Sequence, residues 1–312
     1  MTMGSLESSA RRGTLFILIA VLFWGGSASL AKFLFTTRFD TLIVVQSRSS
    51  LSFLLLAIYF LLNDRSVFRI ERKDIGALIL AGVIGIAVTN FSYYYTVREA
   101  TVATAILIQY TAPVLVMAYA VVVSKEEVLN GIKVIALVLS LLGCYLAVSG
   151  GDWTAIQLRG WSLVSGIASS LSFAFMLLMS KRLLRKYSVW TMLVYAFGFS
   201  TLFWLFINPP WQIADKAYSA GDWGILFMFA VVSILIPHSL FASGLKLLDA
   251  STVGIVTTME PVVAIVIAYF ALGESLGQMQ ILGGIAVVAA VVLLQWMESR
   301  KWIRAGRLRN AG

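Results

Sequence analysis

Thr101 to Val128 reads TVATAILIQYTAPVLVMAYAVVVSKEEV, and Asp249 to Leu276 reads DASTVGIVTTMEPVVAIVIAYFALGESL. At a constant offset, Thr104 meets Thr252, Pro113 meets Pro261, Ala120 meets Ala268 and Glu126 meets Glu274. The same offset runs upstream without a gap, pairing Asp74 with Asp222, Gly76 with Gly224 and Arg98 with Lys246. An internal repeat of this kind sets the architecture before any single helix is assigned. One structural unit is built twice.

The solvent of that unit follows from composition. Hydrophobic residues make up 60% of the 312 residues and charged residues 12%, against about 45–50% and about 25% in soluble chains. No aqueous core absorbs so much apolar surface, so lipid must cover much of it. Ten apolar runs are long enough to cross a hydrocarbon core of about 30 Å. The first five are Gly13 to Ala31, Thr41 to Leu62, Ile75 to Tyr95, Ala100 to Val123 and Ile132 to Ser149. The second five are Trp161 to Ser180, Val189 to Ile207, Trp223 to Leu245, Ala250 to Leu272 and Gln278 to Met297. The first run, with Arg11 and Arg12 before it and Ser29 and Ala31 at its end, has the outline of a secretory leader. That reading fails, because Trp24-Gly25 and Lys32 are echoed mid-chain by Phe173-Ala174 and Lys181.

The net charge of +9 invites a nucleic-acid reading, but the basic residues fall in short blocks between apolar runs. Seventeen Lys and Arg lie on the side of both chain ends, among them Arg65, Arg69, Lys181, Arg185 and Arg300, against five opposite: Lys32, Arg38, Arg98, Arg159 and Lys216. That asymmetry puts both ends in the cytoplasm. Residues 1–12 form a polar tail, 13–149 the first repeat, 150–159 an external linker, 160–297 the second repeat and 298–312 a basic tail suited to anionic lipid. The connection from Asn208 to Gly221, with Pro209, Pro210 and Trp211, reads as an aromatic-anchored interfacial segment. Five crossings per repeat is an odd number, so the second repeat enters the membrane from the opposite side. The expected fold is all-α and polytopic, ten helices in two inverted five-helix repeats, an arrangement recurrent in secondary transporters.

The chain resembles the drug/metabolite transporter superfamily, in particular its ten-helix EamA-type members, over Gly13 to Met297. The resemblance rests on TAP…KEE (Thr111 to Pro113, Lys125 to Glu127) and MEP…GES (Met259 to Pro261, Gly273 to Ser275), each a helix with a central proline and a closing acid. The first half departs in having Lys125 where the family usually has glycine. The resemblance implies a bacterial inner-membrane carrier, expected to export an amino acid-like or drug-like solute, with a cavity between the halves.

Polar residues at mid-span mark where that cavity should lie. Pro113 and Pro261 each deprive the carbonyl four residues back, Gln109 and Thr257, of its usual donor. Freed backbone at that depth must be buried in protein or line a wet cavity. Gln109, Tyr110, Thr257 and Thr258 supply side chains there. Glu260 is expected either as a proton-coupling acid or counter-charge, or as an uncharged structural acid. Arg48 has three readings: a partner for Glu260, a clamp on a substrate carboxylate, or a side chain that snorkels to the interface. His238, aligned with Asn90, reads as a buried hydrogen-bond partner or a proton relay. Trp24, Tyr93, Tyr94, Tyr110 and Phe173 form a candidate stacking surface or ordinary packing. Glu126 and Glu274 are expected to face the N-terminal dipoles of the fifth and tenth helices, and Gly25-Gly26, Gly82 with Gly85, and Gly283-Gly284 to permit close helix approach.

One histidine and one cysteine, Cys144, leave no metal site and no intrachain disulfide. No cofactor is expected. No G-x-x-x-x-G-K-[ST], G-x-S-x-G or H-E-x-x-H occurs, which argues against a P-loop ATPase and against common hydrolases. The expected partners are a small solute and anionic lipid, with protons or a counter-solute as the driving species, and no nucleic acid. The competing class is a membrane-embedded transferase or lipid-handling enzyme using Glu260 and His238.

Overall fold

A computed structural model describes residues 3–37, 39–156, 160–272 and 275–310. Helices joined by short connections make up the described residues, with no strand among them, and nine of these helices are long and apolar enough to cross a membrane. They are α2 (Thr41–Asn63), α3 (Arg72–Glu99), α4 (Val102–Val123), α5 (Gly131–Ser149), α6 (Gly160–Leu184), α7 (Val189–Ile207), α8 (Ala220–Leu247), α9 (Ala250–Thr257 followed by Glu260–Leu272) and α10 (Gln278–Asn310). Before them stands α1 (Met3–Thr37), which contains the first predicted run and packs on α8 and α9. The protein is a multi-pass membrane protein of about ten spans.

Caps set the ends. Asp40, Asn130 and Ser188 each accept a hydrogen bond from the first turn of α2, α5 and α7, and Ser219 with Asp222 forms a capping box on α8. Gly150, left-handed at φ 62°, closes α5. The basic tail after Met297 continues α10 as helix to Asn310. One expectation changes here. Glu126 does not serve the α5 dipole, because Asn130 caps that helix and Glu126 instead forms a two-pronged ion pair with Arg185 of the other half. Glu274 lies outside the described residues. The 208–221 connection carries a short helix, Pro210–Ala214, that exposes Trp211.

The packing is inverted relative to a soluble domain. Leu54, Ile58, Ile135, Leu142, Ile285 and Val292 point outward, while Ser49, Ser140, Ser200, Thr104 and Arg48 are buried. This is what lipid demands: apolar groups cost nothing outside, and polar ones must find partners within. The repeat is visible in the contacts. Helix α5 packs on α10 and α2 on α7, while α1 lies against α8 and α9 as α6 lies against α3 and α4. The closest seam is α5–α10, where a Cβ on Gly283 would sit 2.3 Å from the Ala147 nitrogen and 2.6 Å from the Gly143 oxygen. Only glycine allows the backbones that near.

Candidate functional site

The repeated proline helices do not simply bend; they break. Helix α4 stops at Gln109, turns through Tyr110 and Thr111, and restarts as Ala112–Ala118. Helix α9 stops at Thr257 and restarts as Glu260–Leu272. Pro113 and Pro261 therefore sit in the first turn of a new segment, where a missing N–H costs no hydrogen bond. The two breaks pack together, for a Cβ on Gly254 would lie 3.4 Å from Pro113 Cβ. Hydroxyls at the breaks turn back on carbonyls three residues before them: Thr111 donates to Ile108, Thr257 to Gly254 and Thr258 to Ile255. Thr257 and Thr258 thus turn back on their own helix and do not line the cavity described next.

Glu260 opens the second segment of α9, where a carboxylate favours the positive helix end. It is 7% exposed, and its Oε2 accepts a hydrogen bond of 2.6 Å from Tyr110 Oη. A Cβ on Gly25 would lie 3.0 Å from the Glu260 carbonyl oxygen, so α1 passes directly over the break and sets Trp24 beside it.

Arg48 is the largest fully buried side chain among the described residues, at 1% exposure. Its Nε donates to Ser233 Oγ (2.7 Å), Nη2 to the Ser233 carbonyl (2.7 Å) and Nη1 to Asn90 Oδ1 (3.2 Å). The guanidinium lies 4.7 Å from the Tyr94 ring centre and 5.2 Å from that of Phe229. The snorkelling reading is thereby corrected: three hydrogen bonds and two rings hold the charge inside, so it has no need to reach the interface. Asn90 is oriented by its own bond to the Ile86 carbonyl, and Ser233 sits in a π-helical turn, Val231–Leu235. Such wide turns recur at functional sites, and a second one, Ala81–Val88, occupies the matching part of α3. No ion pair joins Arg48 to Glu260 among the described residues.

Both charges line one cavity of about 50 Å³ between the halves. Trp24, Asn90, Tyr94, Gln109, Phe173 and His238 line it with them. Tyr110 stands one hydrogen bond behind Glu260. Gln109 is held by Ser169 at 3.0 Å. His238 packs edge-on to Trp24 at 5.4 Å, and neither its Nδ1 nor Tyr93 Oη has a hydrogen-bond partner. Tyr93, Ser27, Thr89 and Met176 complete the lining. Tyr93 is among the stacking candidates; Ser27 and Met176 follow Trp24 and Phe173 by three residues, and Thr89 precedes Tyr93 by four, so helical spacing from the anticipated residues could have found them. Ser233 carries no such signal; it aligns with Gly85 in the first half. The described residues hold no group of three metal-ligating side chains.

Comparison with known proteins bears on this arrangement. The model of the EamA-like transporter family matches residues 11–149 and again 160–296. The uncharacterized inner membrane transporter YicL of Salmonella typhimurium is 25% identical over 95% of the chain and 99% of its own length. The threonine/homoserine exporter RhtA of Escherichia coli K12 is 25% identical over 88% of both chains. An uncharacterized transporter of Archaeoglobus fulgidus is 30% identical over 69% of the chain and 76% of its own. A solved crystal structure superposes with a TM-score of 0.73 at 16% identity, over 92% of the chain and 98% of the other, a likeness of fold.

Proposed function

The chain belongs to the EamA-like transporter family, and from that premise we propose that it is a secondary carrier exporting a small amino acid-like solute across the bacterial inner membrane. The observation that carries this reading is the pairing of opposite charges on one cavity: Arg48 and Glu260 line it together without neutralising each other. A zwitterion suits such a lining, its carboxylate toward the guanidinium fork and its ammonium toward the carboxylate. The name of the relative RhtA, a threonine/homoserine exporter, points the same way. Trp24, Tyr94, Phe173 and His238 would supply the walls, and Asn90, Gln109 and Tyr110 the neutral hydrogen bonds.

A cavity of about 50 Å³ has room for a few waters, each needing about 10–15 Å³ in the same measure, and not for an amino acid. Binding therefore requires the halves to part. The breaks in α4 and α9, with Pro113 and Pro261 at their restarts, are the places where the two arms can swing. Alternate opening of two inverted halves around a fixed central site is the working principle of many carriers of duplicated design. Glu260 is the group that would take up a proton or meet the ammonium of a counter-solute, since it is the one buried acid on the cavity. The excess of Lys and Arg on the chain-end face supports cytoplasmic ends.

Reconstitution tests the reading. Liposomes loaded with unlabelled threonine or homoserine should accumulate the labelled solute by saturable counterflow. Absence of counterflow with an amino acid panel, together with counterflow of a cationic drug, would replace the solute class. Recovery of a covalently altered product would overturn the carrier and favour a membrane transferase.

A further inference from the structure

A second, larger recess lies away from the central cavity and shares no residue with it. It measures about 440 Å³ and runs between α4 and α6 toward the chain-end face. Leu115 and Tyr119 of α4 and Leu171, Phe175 and Leu178 of α6 form its walls. Leu115, Tyr119 and Leu171 are 39%, 44% and 55% exposed, so the recess opens sideways toward hydrocarbon. The other end is charged. Lys181, Arg182 and Arg185 line it with Glu126, Glu127 and Asp249.

The acids at that end are already engaged. Glu126 is paired with Arg185, and Lys133 Nζ reaches Glu127 at 2.7 Å and Asp249 at 3.1 Å. Lys181 donates to the carbonyls of Leu245 and Leu248 and has no carboxylate partner among the described residues; neither has the exposed Arg182. With Lys133, four cations stand against three acids, so the mouth keeps one net positive charge, carried on the Lys181–Arg182 side. From Leu171 to Arg182 the groove follows α6 for about 16 Å at the helical rise, close to half of a hydrocarbon core of about 30 Å. That is the depth of one leaflet.

We propose that this groove is a binding site for one anionic phospholipid, its acyl chain against Leu115, Phe175 and Leu178 and its phosphate on Arg182 and Lys181. A soluble anion would leave the apolar wall wet or empty, and a zwitterionic lipid would set its own cation among the basic residues. Only an amphipathic anion satisfies both ends of the groove. The site makes the α4–α6 seam, which joins the two halves, sensitive to the composition of the leaflet.

Native mass spectrometry of the detergent-purified full chain tests this, with palmitoyl-oleoyl phosphatidylglycerol as probe and the matching phosphatidylcholine as control. Wild type should retain one phosphatidylglycerol in preference to phosphatidylcholine. Arg182→Gln should weaken phosphatidylglycerol retention about fivefold, the effect of one basic residue near an anionic surface. Leu115→Gln, at an exposed position, should weaken both lipids by wetting the wall. A variant with Arg304, Arg307 and Arg309 changed to glutamine should retain the lipid as wild type does. Equal retention of the two lipids, wild-type retention by Arg182→Gln and Leu115→Gln, or loss confined to the tail variant would overturn the site. Glycerol phosphate holding as tightly as the lipid would also overturn it.

Discussion

Tyr110 and Glu260 meet at 2.6 Å, each at the break of its own helix and each from a different half of the molecule. The bond ties the two broken arms together at the cavity edge. Glu260→Gln keeps an acceptor for Tyr110 but removes the group that can gain or lose a proton. The variant should fold with a melting temperature close to wild type, yet lose transport or its pH dependence in liposome uptake between about pH 5 and 8. Uptake that follows the wild-type pH profile would remove Glu260 from coupling. Tyr110→Phe strips one buried acceptor of its partner and should destabilise the protein by about 1–3 kcal/mol.

Arg48 depends on its fork. Lysine retains the charge but cannot reach Ser233 Oγ, the Ser233 carbonyl and Asn90 at once. Arg48→Lys should abolish solute uptake and cost about 2–4 kcal/mol, because a buried charge is left short of partners. Thermal unfolding alongside counterflow checks both effects. Full activity in this variant would show the cavity needs only a positive charge, not planar geometry.

The α5–α10 seam gives a purely steric prediction. Gly283→Ala places a carbon within 2.3 Å of Ala147 nitrogen and should destabilise by about 1–3 kcal/mol as the helices are pushed apart. Gly76→Ala and Gly224→Ala meet nothing within 4 Å and should unfold at the wild-type temperature. Equal stability of the three variants would mean the seam is looser than its geometry.

The chain-end face should respond to pH through Glu126. The Arg185 guanidinium holds this carboxyl below the usual carboxylate range. Folding thus gains from the ionised form, and the gain is present above the unfolded value of about 4.3. It fades as pH falls through the lower folded value. Because both side chains are about half exposed, at 53% and 47%, solvent and salt keep the pair to about 0.2–1 kcal/mol. Arg185→Gln should erase that share of the acid sensitivity, seen as a smaller loss of melting temperature as pH falls from about 5 to below the usual carboxylate range, about pH 3.

Lys133 is the opposite case. It is 4% exposed and serves both Glu127 and Asp249, while Ser251 also donates to Glu127. Lys133→Met leaves Glu127 buried without its cation, and the cost should be about 3–5 kcal/mol. The double variant Lys133→Met with Glu127→Gln should recover a large part of it in a thermal-shift comparison.

The duplication and the membrane class were legible because they are written in spacing and hydropathy, which lipid enforces over long stretches. Nine of the residues singled out from sequence line one cavity, since charged and aromatic groups in apolar helices have few other places to go. What escaped was local geometry. Thr257 and Thr258 look like cavity residues by depth, but each hydroxyl finds a carbonyl three residues back. Arg48 lies near enough to a helix end to snorkel, but partners remote in sequence keep it in, Asn90 at 42 residues and Ser233 at 185. Glu126 was expected to serve the nearest helix and serves the other half instead. Long-range pairings of this kind leave no periodic trace.

The lining of the cavity breaks the symmetry of the frame around it. Asn90 and Gln109 of one half line it where the other half has His238 and the withdrawn Thr257, and Glu260 lines it where the first half has the apolar, off-cavity Ala112. In a carrier of the proposed kind, halves that trade positions would not trade chemistry, and each compartment would see a differently furnished doorway. Half-saturation from one side would then fall at another solute concentration than from the other, while net flux at zero gradient stays nil because the cycle must close. In electrical language, a part built on an imperfect two-fold would behave as a rectifier.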